Sequence, residues 1–546
     1  MKRRSSWIVA LVGVLALAIV SSACGATPTP QVVTQQQTVV VKETQVVKEV
    51  ATSAPTATPA PKPGAPMELT IDVGATMALN LDPLNWKSTL DKTILNQTLY
   101  DGLVRRGFSM ELLPSLADSW QIGSDGVTWT FKLRKDVKFH DGTPFNAQAV
   151  KFNIDRWRDP NTQFITRFTY AGAIKEAKVT DDYTIDIVTN GRFAVLSSLL
   201  TGFGSSIVSP TAVQQLGKDF DAKAVGTGPF KVSSFKPGEE LILVRNDDYW
   251  GAKPYLTKVR FIPIREDASR TAALKTGATQ VLSGAPFSQF PFLRADPAIQ
   301  IIENPGVFYA FIGFNCKNKP TSDAKLRRAI VQAIDMKAIT QAVYGTEWQN
   351  YCGSIGPLIN GYDAGIPCIK FDPAASKQAL ADTGYAGLEL TYTYYTSPAN
   401  ILIAQILQGY LKDVDINLKL EMLEYGASVA KITAGNAQMF QSGWGNAEGN
   451  PISNLTGMFP TRQIGGTNWA FYSNPELDKI IEQATGEMDA TKQLDLVRQA
   501  ETILINDTPH LAIGSPISVI ATSKTVSGWQ AHPIGDYVLN TVQVVK

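Results

Sequence analysis

The chain has 546 residues, more than a single hydrophobic core can organise, so its length predicts about three domains. Fifty basic residues face forty-nine acidic ones. This balance provides no long-range field that would attract nucleic acid or an anionic membrane surface, and we exclude both as partners recognised by charge.

The N-terminus has the features of a signal peptide. Lys2, Arg3 and Arg4 form a positively charged start, and residues 8–20 are an unbroken apolar run. At about 1.5 Å per residue, that run reaches only about 20 Å, which is short of the ~30 Å hydrocarbon core of a bilayer. Residues 1–24 are therefore predicted to direct export and not to belong to the fold.

The next segment predicts a lipid anchor with a tether. Residues 21–25, SSACG, resemble a bacterial lipobox, in which the cysteine receives the lipid, so Cys24 is the predicted lipidation site. Ser21 stands where Leu or Val is usual, and a plain secretory signal with an incidental cysteine is the alternative. Residues 25–66 contain seven prolines and no aromatic residue, which predicts a disordered tether. Such a tether would hold a folded body near the membrane while leaving it free to reorient.

Strands and helices alternate after residue 67 and predict an α/β body. Trp129, Phe131 and Leu133 occupy every second position, as in a half-buried strand, and turn signals flank them at residues 125–126 and 141–142. Helix starts are indicated at three dipeptides, Asp372-Pro373, Ser397-Pro398 and Asn474-Pro475. Residues 323–343 carry one apolar helical face, formed by Leu326, Ile330 and Ile334.

Catalytic and cofactor motifs are missing from the sequence. The three histidines are far apart, at His140, His510 and His532, and no HExxH or CxxC motif occurs, so no metal site is predicted. Gly217-Lys218 lacks the upstream glycine of a P-loop, residues 226–228 lack the third glycine of a dinucleotide fingerprint, and GxSxG is absent. We predict a protein that is not an enzyme and needs no cofactor. A secreted hydrolase without a recognisable motif is the alternative of another class.

The remaining cysteines predict one disulfide. Cys352 and Cys368 bracket a Gly/Pro-rich loop, and oxidation is permitted in an exported protein. A Cys352–Cys368 bond is therefore expected. Cys316 is left as a small, buried, apolar side chain.

Three stretches resemble the signatures of one family, the family 5 extracellular solute-binding proteins, which are the peptide, nickel and oligosaccharide receptors of ABC importers. They are residues 117–157 (ADSWQIGSDGVTWTFKLRKDVKFHDGTPFNAQAVKFNIDRW), 226–254 (GTGPFKVSSFKPGEELILVRNDDYWGAKP) and 311–335 (FIGFNCKNKPTSDAKLRRAIVQAID). Their order and spacing also agree. The likeness extends from about Leu69 to the C-terminus.

The resemblance implies a two-lobed α/β fold of the type II periplasmic-binding-protein class around a central ligand cleft. Lobe 1 would comprise residues 67–104, 223–312 and 513–546, lobe 2 residues 313–512, and an extra inserted α/β domain residues 105–222. Hinge crossings are expected near Phe314 and Gly514. The chain would act as a monomer in the periplasm or at the outer face of the membrane, where it would deliver its ligand to the permease subunits of an importer.

The ligand loop of the family corresponds here to Gly443, Trp444, Gly445, Asn446, Ala447 and Glu448. In the family's peptide receptors, an Asp that neutralises the ligand's amino group stands where Ala447 stands here, and Glu448 is one place off. No Arg or Lys occurs in residues 391–408, where dipeptide receptors carry an Arg for the ligand carboxylate. A buried charge without a partner costs several kcal/mol. A free zwitterionic dipeptide is therefore expected to bind poorly.

Several further side chains are candidates for ligand contact. Ring faces could come from Trp444, Trp469, Tyr394 and Tyr395, and amide hydrogen bonds from Asn446 and Asn468; ordinary core packing is the alternative for the aromatics. Met77, in the first loop after the opening strand, is a further candidate. We predict a peptide-like ligand. An oligosaccharide is the second possibility and a nickel complex the third, and a sensory role through the same cleft stays open.

Overall fold

The structure, a computed structural model, describes residues 67–545 apart from 75, 76, 78, 87, 162–166 and 203. The predicted signal peptide (1–24), the predicted tether (25–66) and the predicted lipid site Cys24 lie outside the described residues. Within that range, no helix combines the length and the apolar composition needed to cross a bilayer.

The described strands follow the chain in this order: β1 (Glu68–Asp72), β2 (Val104–Arg106), β3 (Leu112–Pro114), β4 (Ala117–Ile122), β5 (Thr128–Leu133), β6 (Ile174–Asp181), β7 (Thr184–Thr189), β8 (Phe230–Lys236), β9 (Glu240–Arg245), β10 (Lys258–Ile262), β11 (Val281–Leu282), β12 (Ile299–Pro305), β13 (Phe308–Phe314), β14 (Trp348–Gln349), β15 (Glu389–Tyr395), β16 (Asn417–Leu423), β17 (Met439–Gly445), β18 (His510–Ser523), β19 (Val526–Ser527) and β20 (Gln543–Val544).

The described α-helices are α1 (Thr89–Leu95), α2 (Ala147–Arg158), α3 (Arg167–Ala173), α4 (Leu196–Leu199), α5 (Pro210–Leu216), α6 (Asp267–Thr276), α7 (Phe290–Arg294), α8 (Ala324–Gln332), α9 (Met336–Tyr344), α10 (Pro373–Asp382), α11 (Pro398–Asp413), α12 (Tyr425–Thr433), α13 (Pro451–Met458), α14 (Pro475–Gly486) and α15 (Ala490–Asp507). Short 3-10 helices lie between some of them.

Helix starts follow the local chemistry of the sequence. Asp372, Ser397 and Asn474 are the N-caps of α10, α11 and α14, each followed by a proline in the first turn, as predicted. The apolar face in residues 323–343 belongs to two helices rather than one. The reason is Asp335, whose side chain accepts a hydrogen bond from the Ala338 N–H and so starts α9 after the end of α8.

Lobe 1 is built on one part of a twelve-stranded sheet, in which β1 pairs with β10 and β11 in parallel and β9 and β8 follow β10. Leu69 and Ile71 alternate along β1 and are fully buried in its core. A separate four-stranded antiparallel sheet has the order β4-β5-β7-β6. Trp129, Phe131 and Leu133 are buried in its own core, as the alternation in β5 predicts.

The second part of lobe 1 begins earlier in the chain than the predicted boundary between residues 222 and 223. Val208, Ala212 and Phe220 pack with β1 and β8, not with the four-stranded sheet. The apolar side of α5 therefore belongs to lobe 1. The change of core falls between Ile207 and Val208, because Ile207 packs with the four-stranded sheet.

Lobe 2 contains β13, β15, β16 and β17 of the large sheet. β15 runs parallel to both β16 and β17, and β13 is antiparallel to β17. Helices cover both faces and form two cores, one around β15 and α11 and one around α13, α14 and α15. The loop between Cys352 and Cys368 is closed by a disulfide, with the two Cα atoms 5.5 Å apart.

Two chain segments cross between the lobes at adjacent positions. β18 pairs with β13 through residues 510–514 and with β12 through residues 517–523, so it passes from lobe 2 to lobe 1 between Gly514 and Ile517. The other crossing lies between β12 and β13, at residues 306–307, and not near Phe314. The difference arises because Ala310, Ile312 and Phe314 already pack in the core of lobe 2.

Gly514 has a φ of 120° and lies against β14, where a Cβ atom would be 2.0 Å from the Gln349 carbonyl oxygen. A side chain would thus force β14 away from β18 at this crossing.

Candidate ligand-binding site

One edge of the lobe 2 sheet collects the ends of four strands. β15, β16 and β17 run parallel to one another, so their last residues, Tyr395, Leu423 and Gly445, lie at the same edge. The antiparallel strand β13 begins at this edge with Phe308. In sheets of this kind, ligands bind outside the carboxyl ends of the strands. Residues 443–450, which include the predicted ligand residues 443–448 and end at the N-cap of α13, leave the sheet at this edge and form the ligand loop.

Trp444 is a half-buried side chain at the end of β17. Its ring meets the Trp469 ring edge to face, with the centroids 6.3 Å apart. Gly457 makes room for the indole, because a Cβ atom there would lie 2.4 Å from the ring. The indole Nε1–H is buried and has no acceptor in the part of the chain that the structure describes. A buried donor without an acceptor costs about 1–3 kcal/mol, and a ligand acceptor would remove that cost.

The amide of Asn446 is used within the ligand loop itself. Asn446 is fully buried, and its Nδ2 donates to the Asn450 carbonyl and to Asn454 Oδ1, both at 2.8 Å. Its Oδ1 accepts from the Asn450 N–H at 3.2 Å. The side chain therefore holds the turn of the loop.

Asn468 likewise binds protein groups. Its Nδ2 donates to the carbonyl oxygens of Phe459, Pro460 and Tyr472, and its Oδ1 accepts from the Tyr472 N–H. The side chain is 1% exposed. Both donor hydrogens and the acceptor of this amide are thus engaged without a ligand.

At Glu448 the ligand loop meets chain segments whose neighbouring residues pack in the core of the four-stranded sheet. Arg106, at the end of β2, donates to the backbone carbonyls of Glu448 and Met110. A Cβ atom at Gly202 would lie 2.5 Å from Glu448 Oε1, so the carboxylate packs directly against that glycine. The loop is therefore in contact with residues from before and after the four-stranded sheet.

Arg106 and Glu448 are a buried cation and a largely buried anion at this contact. Burial raises the pKa of the Glu448 carboxyl, against the influence of Lys92 and Arg106. Burial also lowers the pKa of the Arg106 guanidinium to about 10. Neither side chain forms an ion pair with any described residue, and Arg106 Nε has no acceptor among them. The contact thus contains two desolvated ionisable groups, neither of which forms a direct ion pair with a described residue.

The other candidates differ in position. Gly443 lies under the Phe308 ring, where a Cβ would be 2.2 Å from it, Gly445 is exposed and Ala447 is half-buried. Tyr395 is half-buried and meets exposed Tyr425 edge to face at 5.3 Å.

Tyr394 is buried in the lobe 2 core, stacked on Tyr392 at 5.6 Å. Met77 is fully buried in the lobe 1 core. The structure thus brings residues 443–448, Trp469 and Tyr395 to one edge, and it places Met77 and Tyr394 inside cores.

Phe308 and Arg106 are at this edge without having been singled out in the sequence. Phe308 is 39% exposed although it begins an otherwise buried strand. The described part of the chain contains no cluster of three or more His, Cys, Asp and Glu side chains that could hold a metal ion.

Two lobes joined by two crossings, with polar and aromatic side chains at the facing sheet edge, define a two-lobed solute-binding protein. Residues 111–466 match the family model described as bacterial extracellular solute-binding proteins, family 5, middle region. The chain belongs to this family, as its sequence motifs indicate.

Curated relatives and solved structures agree with this assignment. The chain is 28% identical over 485 residues to the glutathione-binding protein GsiB of Pectobacterium atrosepticum. The alignment covers 86% of this chain and 92% of the relative. It is similar to the ABC transporter-associated periplasmic binding protein DppA of Helicobacter pylori in complex with the peptide STSA, with a TM-score of 0.77, 26% identity and coverage of 88% and 98%. It is also similar to MoaA of A. tumefaciens R10 in complex with mannopinic acid, with a TM-score of 0.76, 26% identity and coverage of 88% and 100%. The predicted two-lobed α/β fold is confirmed.

Proposed function

We propose that this chain captures a peptide-like solute outside the cytoplasmic membrane and delivers it to the permease subunits of an ABC importer, with lipid on Cys24 holding it at the membrane. The observation that carries the proposal is the ligand loop. It contains Trp444, whose buried N–H has no acceptor among the described residues, and Glu448, whose backbone carbonyl accepts from Arg106. The side chains of Glu448 and Arg106 are desolvated and form no ion pair with a described residue. A peptide supplies a carbonyl acceptor together with an ammonium and a carboxylate.

The amide contacts favour a peptide over an oligosaccharide. Sugar binding was expected to use the side-chain amides of Asn446 and Asn468, and in both the NH2 group and the oxygen already bond to protein groups. The named ligands of similar proteins, glutathione and the peptide STSA, support the same choice. Mannopinic acid, bound by another similar protein, keeps a smaller charged solute as the second candidate.

Capture would occur by closure of the two lobes about the crossings at residues 306–307 and 514–516. Such closure buries the ligand, and the closed form is what the permease subunits would bind. The chain would supply recognition alone. Direction and energy of transport would come from its partners.

The proposal is tested by native mass spectrometry of the purified protein, which detects a ligand retained through purification. A set of added masses that correspond to amino-acid residues is the expected result. Hexose increments would reject the peptide assignment, and release of a chemically altered product on incubation would indicate an enzyme instead.

Ala447→Asp is expected to strengthen binding of STSA, a peptide with a free amino terminus, by about tenfold, because the new carboxylate would form a charge-assisted hydrogen bond with the ligand's ammonium. Isothermal titration calorimetry measures the change. N-acetylated STSA should show no gain, and Ala375→Asp, which adds the same charge to lobe 2 on α10, should leave both affinities unchanged. An equal gain for both peptides would show that the carboxylate does not meet the amino terminus.

A further inference from the structure

A chain of buried hydrogen bonds runs behind the ligand loop. Asn446 donates to Asn454 Oδ1 at 2.8 Å, and Asn454 Nδ2 donates to the Ser354 carbonyl. The Ser354 N–H then donates to Glu501 Oε2 at 2.7 Å, and the Ser354 hydroxyl donates to the other carboxylate oxygen. All four side chains are 2% exposed or less. The ligand loop is thereby connected through α13 to residues 351–354 and α15.

The same segment is attached to the hinge. The Tyr351 hydroxyl lies 2.8 Å from Ser515 Oγ, and the Ser515 hydroxyl donates to the Phe308 carbonyl. Ser515 is part of β18 at the point where it crosses between the lobes, and Phe308 begins β13 just after the other crossing. One short segment therefore contacts the β18 crossing directly, the start of β13 through Ser515, and the ligand loop through Asn454.

The disulfide fixes this segment between its two attachments. Cys352 lies between Tyr351, which reaches the hinge, and Ser354, which reaches Asn454 and Glu501. Gly353 has a φ of 79°, and a Cβ atom there would lie 2.0 Å from Glu501 Oε2, so the backbone is in direct contact with the carboxylate. The bond to Cys368 restricts how far residues 351–354 can move from these contacts.

We infer that residues 351–354, held by the Cys352–Cys368 disulfide, set the position of the ligand loop relative to the hinge, and that Asn454 is the positioning residue that joins them. The inference rests on the proposed function only in assigning solute binding to residues 443–450. It predicts that loosening the segment alters the ligand loop before it alters the rest of the fold.

Hydrogen–deuterium exchange of the full chain tests this without a ligand. In Asn454→Ala, amide exchange in residues 443–450 is expected to rise by about tenfold, whereas exchange in β1 stays at the wild-type rate. The matched control is Asn315→Ala. Asn315 is a buried asparagine of the same lobe, 2% exposed, whose amide donates to the Gly435 carbonyl at 2.8 Å and accepts from the Lys317 N–H at 3.0 Å. Wild-type exchange of residues 443–450 in Asn454→Ala would overturn the inference.

Removal of the disulfide is the second test and does not depend on the Asn454 variant folding. Cys352→Ser combined with Cys368→Ser, or reduction of the folded wild-type protein, should raise exchange in residues 351–354 and 443–450 together. Faster exchange in residues 351–354 alone would show that the segment does not position the loop.

Titration of the Asn454→Ala protein with STSA separates this inference from the proposed function. Faster exchange together with about tenfold weaker binding supports both. Faster exchange with unchanged affinity supports the positioning role and rejects the ligand loop as the binding site.

Discussion

Trp444→Ala is expected to weaken binding of the retained ligand by about 100-fold while the protein stays folded. The loss combines the ring surface that Trp444, braced edge to face against Trp469, would offer to a ligand with the indole N–H that a ligand acceptor would satisfy. Buried aromatic anchors of this kind carry about 2 kcal/mol or more of binding free energy. Titration calorimetry with the ligand identified by mass spectrometry measures the change, and circular dichroism reports whether the fold persists.

Trp529→Ala is the matched control for this prediction. Trp529 is also half-buried, its N–H is also without an acceptor among the described residues, and its ring meets Tyr537 edge to face at 5.8 Å. It belongs to lobe 1 and packs against that lobe's core. Both variants should lose similar thermal stability, and only Trp444→Ala should lose affinity. If the two variants bind the ligand with equal affinity, Trp444 does not contact the ligand.

The secondary structure that could be predicted from the sequence is the part set by neighbouring residues. A capping side chain followed by proline starts α10, α11 and α14, because the cap and the helix lie within one turn of each other. The crossing near Gly514 follows from the family resemblance. The other crossing was placed too late by the resemblance, near Phe314, because only tertiary packing assigns the strand Phe308–Phe314 to lobe 2.

The ligand site was predictable only at the level of the loop. The resemblance indicates Trp444 and its neighbours, but the partners of a buried amide depend on how the surrounding loop folds. Asn446 and Asn468 could equally have faced a ligand, and the groups that engage them are backbone atoms of folded loops and, for Asn446, the Asn454 side chain. Arg106 reaches Glu448 across 342 positions of sequence, and no local pattern in the chain indicates that contact.

Glu501 is expected to make the folded state less stable as the pH rises from about 5 to about 8. Burial raises the pKa of this carboxyl from 4.5 to about 7, although the Ser354 N–H and hydroxyl favour its ionised form. The folded protein therefore binds this proton more tightly than the unfolded chain. The contribution of this proton to the free energy of unfolding is fully present below pH 4.5 and is lost as the pH rises through about 7. It amounts to at most about 3 kcal/mol. Burial raises the pKa of neighbouring Tyr309 and Tyr351 above 10, so neither hydroxyl titrates in this window.

Urea denaturation of the wild type and of Glu501→Gln at pH 5 and pH 8 measures this contribution. The glutamine oxygen can still accept from Ser354 but does not titrate, so the stability difference between the two pH values should shrink by up to about 3 kcal/mol. Glu482→Gln, on the exposed side of α14, should keep the wild-type difference. An unchanged difference in Glu501→Gln would mean that Glu501 is already ionised at pH 5 in the folded protein. The buried hydrogen-bond chain behind the ligand loop would then end in a charge throughout the range from pH 5 to pH 8.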